Sequence, residues 1–317
     1  MDQSHATPTY TMSNGQKIPV LGYGTYLVPK HQMRMNVLTI LESGYRLIDC
    51  AFFYGNEDAI GEGLVEAMNK LKLKREDVFI TSKVWPTHVR PENVRKSCEE
   101  SLKNLKLTYL DLYLVHWPVA FKPGDCSFPM AEDGETYALD SVPHLDTWKA
   151  MEKLVDDGLV KSIGLSNFNK RQIDNILNNC RIKPVNLQIE IHANFPNEKL
   201  VNFAQSRGLI VSAYAPLGSL GNTPGETDLL QQPWVKRIAE NHKKTSAQVL
   251  LRYLLQRHLV VLPKSSTPSR IKENTQIFDF VLSEDEMNEL STKGLNKRQF
   301  TFLGMRYHPE YPFYDEY

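Results

Sequence analysis

The sequence predicts an α/β fold of the (β/α)8 barrel type, in which parallel strands alternate with helices. Eight short apolar runs typical of buried strands are separated by stretches with apolar residues at helical spacing. Polar residues appear abruptly where several of these runs end, as expected at the carboxyl face of a parallel barrel. The length of 317 residues also fits, because such a barrel typically needs about 250 residues plus insertions.

The first elements are a hairpin and a strand. Residues 9–12 and 17–20 flank Asn14-Gly15, which is the strongest short hairpin signal. The first barrel strand is predicted over residues 20–25. Its two glycines, Gly22 and Gly24, match the start of a dinucleotide-binding loop, but Leu27 stands where that motif needs a third glycine. The pair therefore favours a tight passage from strand to loop.

The remaining elements continue the alternation of strand and helix. Thr267 is expected to cap a short helix that starts at Pro268, and Ser283 to cap the closing helix. Strands are predicted over residues 45–48, 78–82, 110–115, 160–165, 185–190, 209–213 and 259–262, and helices over residues 33–43, 59–68, 91–105, 145–155, 171–177, 198–206, 235–240 and 246–256.

Two long segments and the tail interrupt this alternation. Residues 117–143 and 215–226 are rich in proline and glycine, and the first is too long for an ordinary connection, so we expect it to form a wall of a binding site. Residues 300–317 are too aromatic for a solvated terminus and should pack across the open end. We expect one domain over residues 1–317, with the barrel over about residues 18–275 and the closing helix and tail over about 276–317.

Composition narrows the classes of function. Lys plus Arg and Asp plus Glu both number 37, so no net charge favours nucleic acid or an anionic membrane as a partner. No targeting segment or spanning helix is visible, and we expect a cytoplasmic monomer that binds a small molecule in a pocket. The four cysteines are widely spaced and are expected to be reduced, and His192 has no second ligand at metal spacing, so no metal is predicted.

Four ionisable side chains stand where three successive strands end. Asp49 and Tyr54 follow the strand over 45–48, Lys83 follows 78–82, and His116 follows 110–115. A tyrosine hydroxyl has a pKa of about 10, and a neighbouring ammonium such as Lys83 is expected to lower it. Asp49 would hold the ammonium and His116 would orient an incoming oxygen. This arrangement makes Tyr54 a general acid for a developing alkoxide.

A second cluster lies after the last strand. Lys264 and Arg270 flank the predicted helix start at Pro268, where free backbone amides and the helix dipole attract an anion. These features together predict a phosphate-binding site.

The chain resembles the aldo-keto reductases through Asp49, Tyr54, Lys83 and His116, and through the segments Gly44 to Asp49 and Tyr54 to Glu57. The resemblance covers nearly the whole chain. It implies a reductase of aldehydes and ketones that uses NADPH/NADP+, and a hairpin that closes the bottom of the barrel. His116 favours carbonyl reduction, because the steroid double-bond reductases of the family place glutamate there.

The resemblance also assigns the cofactor contacts. It implies that Ser166, Asn167 and Gln188 bind the nicotinamide carboxamide and that Tyr214 stacks on the ring. Charge-assisted bonds to a 2′-phosphate would favour NADPH over NADH. The 2′-phosphate is assigned to Lys264, Ser265, Thr267 and Arg270, the adenine to Glu273 and Asn274, the loop over the pyrophosphate to Gly218 and Ser219, and further cofactor contacts to Gly24, Thr25, Tyr26, Asp49 and Leu217.

For the substrate the resemblance implies an apolar pocket, so the substrate should be apolar or aromatic at one end. Two alternatives remain open: oxidation of a hydroxysteroid or another secondary alcohol, and a non-catalytic NADPH-binding scaffold. Ala215 replaces a usual serine, and Ala193-Asn194 replaces a usual Pro-Tyr. The residues assigned to the pocket are Tyr26, Phe53, Tyr54, Trp85, His116, Trp117, Phe121 and Phe128, with Phe302 and Leu303 from the tail.

Overall fold

The computed structural model describes residues 7–218 and 228–317. Within them, eight parallel strands form a barrel, which closes through a parallel bridge between Leu21 and Val261. The Gly22 amide donates to the Val261 carbonyl at 2.9 Å across the same seam. This confirms the predicted (β/α)8 barrel. The barrel strands in chain order are β3 (Tyr23–Gly24), β4 (Leu47–Asp49), β5 (Phe79–Val84), β6 (Leu112–Val115), β9 (Ile163–Ser166), β10 (Asn186–Glu190), β11 (Ile210–Tyr214) and β12 (Val260–Leu262).

The predicted hairpin precedes the barrel as β1 (Thr9–Thr11) and β2 (Lys17–Pro19). Its two strands pair antiparallel, with Tyr10 opposite Ile18. Buried Met12 and Ile18 pack against the side chains at the start of the barrel strands, among them Leu47. The hairpin therefore fills the amino end of the barrel with apolar side chains, and the opposite end remains for a ligand.

The predicted helices surround the barrel with apolar faces turned inward. The bounds of α3, α6 and α8 match the prediction, and the other helices over predicted segments differ at their ends by one to three residues. The helices are α1 (Lys30–Glu42), α2 (Glu57–Leu71), α3 (Pro91–Leu105), α4 (His144–Asp156), α5 (Lys170–Asn179), α6 (Glu198–Ser206), α7 (Pro233–His242), α8 (Ser246–Gln256), α9 (Pro268–Glu273) and α10 (Glu284–Thr292).

The two predicted helix caps have different outcomes. Ser283 accepts from the Glu286 amide at 3.3 Å, and the Glu286 carboxylate accepts from the Ser283 amide, so the cap of α10 is confirmed. Thr267 does occupy the position before α9, but its side chain makes no capping hydrogen bond. The expected side-chain cap is therefore wrong. The Thr267 amide instead donates to the Ser265 hydroxyl. No hydrogen bond among the described residues uses the Thr267 hydroxyl.

Gly22 is explained by packing inside the barrel. A Cβ atom added there would lie 2.6 Å from the Leu47 side chain and 2.7 Å from that of Leu262. Because both contacts are shorter than van der Waals distance, only glycine fits in this position. The structure thus explains this glycine by close packing and not by a dinucleotide-binding loop.

The long segment after β6 carries structure that the sequence did not reveal. It contains a short antiparallel pair, β7 (Ala120–Phe121) and β8 (Leu139–Asp140). Phe128 stacks on Tyr137 with ring centroids 5.2 Å apart, so aromatic packing holds the segment together. Its two strands have only two residues each, too few to show an alternating pattern.

The C-terminal tail packs over the carboxyl end of the barrel, as expected. It contains two 3₁₀ turns, Leu303–Met305 and Pro312–Tyr314. Buried Met305 and Tyr311 join an apolar cluster with Trp85 and Trp117. No helix within the described ranges is both long and apolar enough to cross a membrane.

Candidate active site

A pocket of about 440 Å³ opens at the carboxyl ends of the barrel strands. It combines polar side chains from strand ends with aromatic side chains from loops and tail. Its walls contain Gly24, Thr25, Tyr26, Leu27, Asp49, Phe53, Tyr54, Trp85, His116, Trp117, Asn167, Gln188, Tyr214, Ala215, Pro216, Leu217, Leu262, Lys264, Ser265, Ser266, Thr267, Arg270, Phe300 and Phe302.

The four predicted ionisable residues, Asp49, Tyr54, Lys83 and His116, meet at one end of the pocket, which we call the floor. Asp49, Tyr54 and His116 line the pocket, and Lys83 is buried behind them. The Lys83 ammonium lies 2.7 Å from the Asp49 carboxylate and 3.4 Å from the Tyr54 hydroxyl. It also donates to the Cys50 carbonyl at 2.8 Å. The Lys83 side chain is fully buried and has no contact with solvent, so these three oxygens take the place of hydrating water around the ammonium.

Local structure explains how the floor is assembled. Asp49 is the last residue of β4 and Lys83 lies near the end of β5, on adjacent strands. Directly after β4, the chain turns through a short 3₁₀ helix, Phe52–Tyr54, which places the Tyr54 side chain over the strand ends. Gln188, on β10 across the barrel, donates to the second Asp49 oxygen at 2.8 Å. Both oxygens of the carboxylate are therefore fixed.

The expected lowering of the Tyr54 pKa is wrong for this structure. Part of the ring is exposed in the pocket, but the hydroxyl is enclosed by protein, and burial raises its pKa well above the usual value. The negative charge of Asp49 raises the pKa further. Lys83 does not reverse this, because its charge is paired with Asp49 at the shorter distance. Tyr54 is therefore protonated at neutral pH and able to donate.

His116 lies beside Tyr54, with ring centroids 5.8 Å apart. Burial lowers the pKa of His116 well below its usual value, and the positive charge of Lys83 lowers it further, so the imidazole is neutral at pH 7. Its Nδ1 atom is buried without a hydrogen-bond partner among the described residues. An unpartnered acceptor costs less than an unpartnered N–H, which favours the tautomer with its proton on Nε2.

The predicted nicotinamide residues form one hydrogen-bonded group on the adjoining wall. The Tyr214 hydroxyl donates to Asn167 Oδ1 at 2.8 Å, and Asn167 Nδ2 donates to the His116 carbonyl at 2.9 Å and contacts Ser166 Oγ at 3.2 Å. Ser166 lies behind the wall, whereas Asn167, Gln188 and Tyr214 line the pocket. No hydrogen bond among the described residues uses the Gln188 amide oxygen, which leaves it as an acceptor for a ligand.

At the opposite end of the pocket, Lys264, Ser265, Thr267 and Arg270 form what we call the basic rim. The Lys264 and Arg270 side chains are exposed, and neither forms an ion pair within the part of the chain that the structure describes. Two cations and two hydroxyl groups around the start of α9 suit a phosphate group.

The other residues predicted near the adenine and pyrophosphate have varied positions. Asn274 is buried at the end of α9, and neither it nor Glu273 lines the pocket. Leu217 lines the pocket, and Gly218 adopts a positive φ of 76°. Ser219 lies outside the described residues.

Aromatic rings form the wall above the floor. Phe53 stacks on Trp85 at 4.0 Å, and Trp117 meets Phe302 from the tail at 4.9 Å. The Trp85 indole donates to the Ser127 carbonyl at 2.7 Å, which ties the wall to the long segment after β6. Most predicted pocket aromatics therefore line the cavity. The predicted residues behind or outside the wall are Phe121 and Phe128, which pack against its back, and Leu303, which is mostly exposed.

Four pocket residues have a backbone conformation that the sequence did not reveal. Leu27, Asn167, Ala215 and Phe302 all have positive φ angles of 45° to 63°, although none is glycine. Such backbone conformations cost energy and tend to occur at functional sites. Asn167 and Phe302 were predicted to line the site, but no sequence signal marks the backbone conformation of any of the four, because these residue types give no sign of unusual backbone geometry. The lining residues missed were Leu27, Pro216, Leu262, Ser266 and Phe300, while Ala215 had been noted only as an unusual residue.

His192, which has no second ligand at metal spacing in the sequence, pairs with the buried carboxylate of Glu190 at 2.9 Å. Within the described residues no group of three or more His, Cys, Asp or Glu side chains could hold a metal ion. The four cysteines are unpaired.

Comparisons with known proteins agree with this geometry. Residues 12–294 match the sequence model of the Aldo/keto reductase family. The chain is 47% identical to aldo-keto reductase family 1 member A1 of Gallus gallus, over 96% of this chain and 97% of that protein. It is 46% identical to member A1-A of Danio rerio, over 98% and 100%. A solved aldose reductase from Schistosoma japonicum superposes with a TM-score of 0.93 at 62% identity, over 98% of this chain and 100% of that one.

Proposed function

The chain belongs to the aldo/keto reductase family, and from this premise we propose that it reduces aldehydes and ketones to alcohols with NADPH, using Tyr54 as the proton donor. Members of this family are oxidoreductases that act on carbonyl groups and use nicotinamide cofactors.

One observation carries the proposal: a single pocket joins the floor, where Tyr54 meets the Lys83–Asp49 pair, to the basic rim around Arg270. A scaffold that only bound a nucleotide would need the rim but would have no use for a buried ammonium beside a protonated phenol. The combination instead suits proton transfer next to a bound nucleotide.

The residues present fit NADPH. The Gln188 amide oxygen is available to a carboxamide, and the Tyr214 ring is held in place by its bond to Asn167. Lys264 and Arg270 supply two positive charges for a 2′-phosphate, which NADH lacks. When bound, the nicotinamide would supply a hydride to the carbonyl carbon.

The floor would then act on the carbonyl oxygen. Tyr54 donates its proton to that oxygen as negative charge develops there. Lys83, 3.4 Å from the hydroxyl, stabilises the phenolate left behind, and Asp49 keeps the ammonium in position. His116 is neutral, so it contributes a hydrogen bond from Nε2 that orients the oxygen. Its lowered pKa makes it a weaker candidate for the proton donor.

The substrate end of the pocket favours an apolar or aromatic carbonyl compound. Phe53, Trp85, Trp117, Phe300 and Phe302 surround the space above the floor, and the charged side chains in the pocket belong to the floor and the rim. Aromatic walls of this kind select ligands by buried apolar area.

The experiment that tests the proposal is NADPH oxidation with a panel of aromatic aldehydes, sugars and ketosteroids, beside titrations of NADPH and NADH binding. We expect carbonyl-dependent oxidation of NADPH and tighter binding of NADPH than of NADH. Binding of NADPH without consumption by any member of the panel would instead support the scaffold. Faster turnover of secondary alcohols with NADP+ would support the oxidative direction.

A further inference from the structure

A buried carboxylate outside the pocket floor holds the start of the C-terminal tail. Glu190, the last residue of β10, is fully buried. Its Oε1 atom accepts from the Gln299 amide at 2.7 Å, and its Oε2 atom accepts from the Phe300 amide at 2.9 Å. His192 approaches Oε1 at 2.9 Å. A buried charge needs such partners, and here the tail backbone provides two of them.

Neighbouring contacts extend this attachment. The Lys297 amide donates to the Asn194 carbonyl at 2.8 Å. Gly294 lies so close to the turn after β10 that an added Cβ would be 2.0 Å from the Ala193 carbonyl oxygen. Residues 190–194 therefore form a seat for residues 294–300, and we call this contact the tail anchor. The unusual Ala193-Asn194 pair lies within it.

The tail anchor lies next to the pocket wall. Phe300, whose amide Glu190 binds, lines the pocket and meets the Tyr214 ring edge-on at 5.6 Å. Two residues later, Phe302 lines the pocket in a left-handed conformation with φ of 45° and packs against Trp117. Phe300 and Phe302 are separated by one residue, so we expect a shift of the anchored amides to displace both phenylalanine rings.

We propose that Glu190 is a positioning residue for substrate selection. Its carboxylate fixes the Gln299 and Phe300 amides, and thereby sets where Phe300 and Phe302 meet the part of a substrate that lies beyond the carbonyl. The inference rests on the proposed reductase function and deepens it. It adds a residue that touches neither the reacting atoms nor the proposed cofactor, and that acts on bulky substrates alone.

The test uses Glu190→Gln, which keeps the size of the side chain but replaces one acceptor oxygen with a donor, so that one tail amide loses its partner. The matched control is Glu310→Gln, which makes the same change farther along the tail, where Glu310 pairs with Arg171 on α5. Steady-state kinetics with a bulky aromatic ketone and a small aliphatic aldehyde supply the first readout.

Loss of one charge-assisted hydrogen bond is expected to raise the KM of Glu190→Gln for the bulky ketone about tenfold, and to change kcat/KM for the small aldehyde by less than about twofold. Glu310→Gln should change neither by more than about twofold. Equal losses for both substrates, or no loss for either, would overturn the proposal, because a merely structural or inert residue would behave in one of these two ways.

Hydrogen exchange supplies a second readout that needs no activity. The segment 297–303 should exchange about tenfold faster in Glu190→Gln than in wild type, and unchanged exchange would overturn the anchor. If wild type reduced no carbonyl compound, the proposed function would fail while this measurement still decided whether Glu190 holds the tail. If Glu190→Gln did not fold, rapid exchange of the Gln299 and Phe300 amides in wild type would overturn the anchor.

Discussion

The two ends of the pocket place charge in opposite environments. At the floor, the Lys83 ammonium is fully buried and the Asp49 carboxylate is 5% exposed, and they lie 2.7 Å apart. At the basic rim, Lys264 and Arg270 are exposed and form no ion pair among the described residues. The charges at the floor are thus paired within the protein, whereas those at the rim are solvated until a ligand binds.

This difference separates the roles that the two ends can perform. Buried charges act through a low effective dielectric and are weakly screened by salt, so a fixed pair can stabilise charge during a reaction. Exposed charges are screened and mobile, and they contribute mainly when a phosphate brings complementary charge. We therefore expect changes at the floor to alter turnover and folding, and changes at the rim to alter nucleotide affinity.

The largest expected effect comes from Tyr54→Phe, which removes the proton donor and leaves the ring. General acid catalysis contributes about 10²- to 10⁴-fold, so kcat for carbonyl reduction should fall by about 10³. The affinity for NADPH, measured by fluorescence titration, should change by less than about twofold, because the rim is untouched.

The control is Tyr10→Phe, which removes a tyrosine hydroxyl from the hairpin at the other end of the barrel. It should leave kcat unchanged. A Tyr54→Phe enzyme with wild-type turnover would show that another group, His116 first of all, provides the proton.

Lys83→Met probes the floor through stability. Asp49 would keep its Gln188 contact but lose its buried counter-ion, and breaking a buried pair costs about 3 to 5 kcal/mol. Unfolding in urea should show a loss of this size. Lys30→Met is the control, because its pair with Asp58 is nearly as short, at 2.8 Å, but is more than half exposed, and its loss should cost less than about 1 kcal/mol. Equal losses would contradict the contrast between buried and exposed pairs.

Much of the floor could be predicted from the sequence because of one geometric rule. The carboxyl ends of parallel strands share a face, so Asp49, Lys83 and His116 had to meet once their strands were recognised. Tyr54 was found in the same way, because it follows the strand over 45–48, and Lys264 and Arg270 were found from the helix start at Pro268. The resemblance then added Ser265 and Thr267 to the rim. Helix bounds followed from apolar spacing, and the hairpin followed from Asn14-Gly15.

What the sequence did not reveal depends on long-range packing. Phe300 enters the pocket because the tail folds back onto Glu190, more than a hundred residues earlier in the chain. The predicted direction of the shift in the Tyr54 pKa was also wrong. Residue types indicate which charges are near, but not how deeply each is buried or whether it is already paired. Positive φ angles such as that of Leu27 have no marker in the sequence.

Arg270→Ala tests the rim. Removing one charged partner of a phosphate is expected to cost about 1.5 to 3 kcal/mol, so the Kd for NADPH should rise about tenfold to a hundredfold. The Kd for NADH and the kcat at saturating NADPH should stay within about twofold of wild type. Lys272→Ala, on the same short helix but outside the pocket wall, is the matched control. An equal loss of NADH affinity would place Arg270 away from the 2′-phosphate.

The pH dependence of stability gives a smaller effect at the floor. The pKa of His116 is well below 6.5 in the folded protein, so below about pH 6.5 the unfolded chain binds a proton that the folded one does not, and stability is lost as pH falls. Relative to His116→Gln, wild type should lose about 1 kcal/mol between about pH 7 and about pH 5.5. The comparison with the variant is needed because burial raises the pKa of Glu57 to about 7, which acts in the opposite sense. If the free energy of unfolding changed with pH in the same way for both proteins, His116 would not be held neutral in the folded protein.

The smallest effect is expected from salt, and it distinguishes the two ends without any substitution. Raising the ionic strength from about 0.05 M to about 0.5 M shortens the screening length to a few ångströms, so the exposed rim should bind NADPH about threefold more weakly. NADH affinity should change less, because it does not use the 2′-phosphate contacts. The kcat at saturating NADPH should stay constant, since the Lys83–Asp49 pair is buried beyond the reach of the ions. A parallel fall of kcat would mean that water and ions reach the floor, so that its charges are screened in the same way as those at the rim.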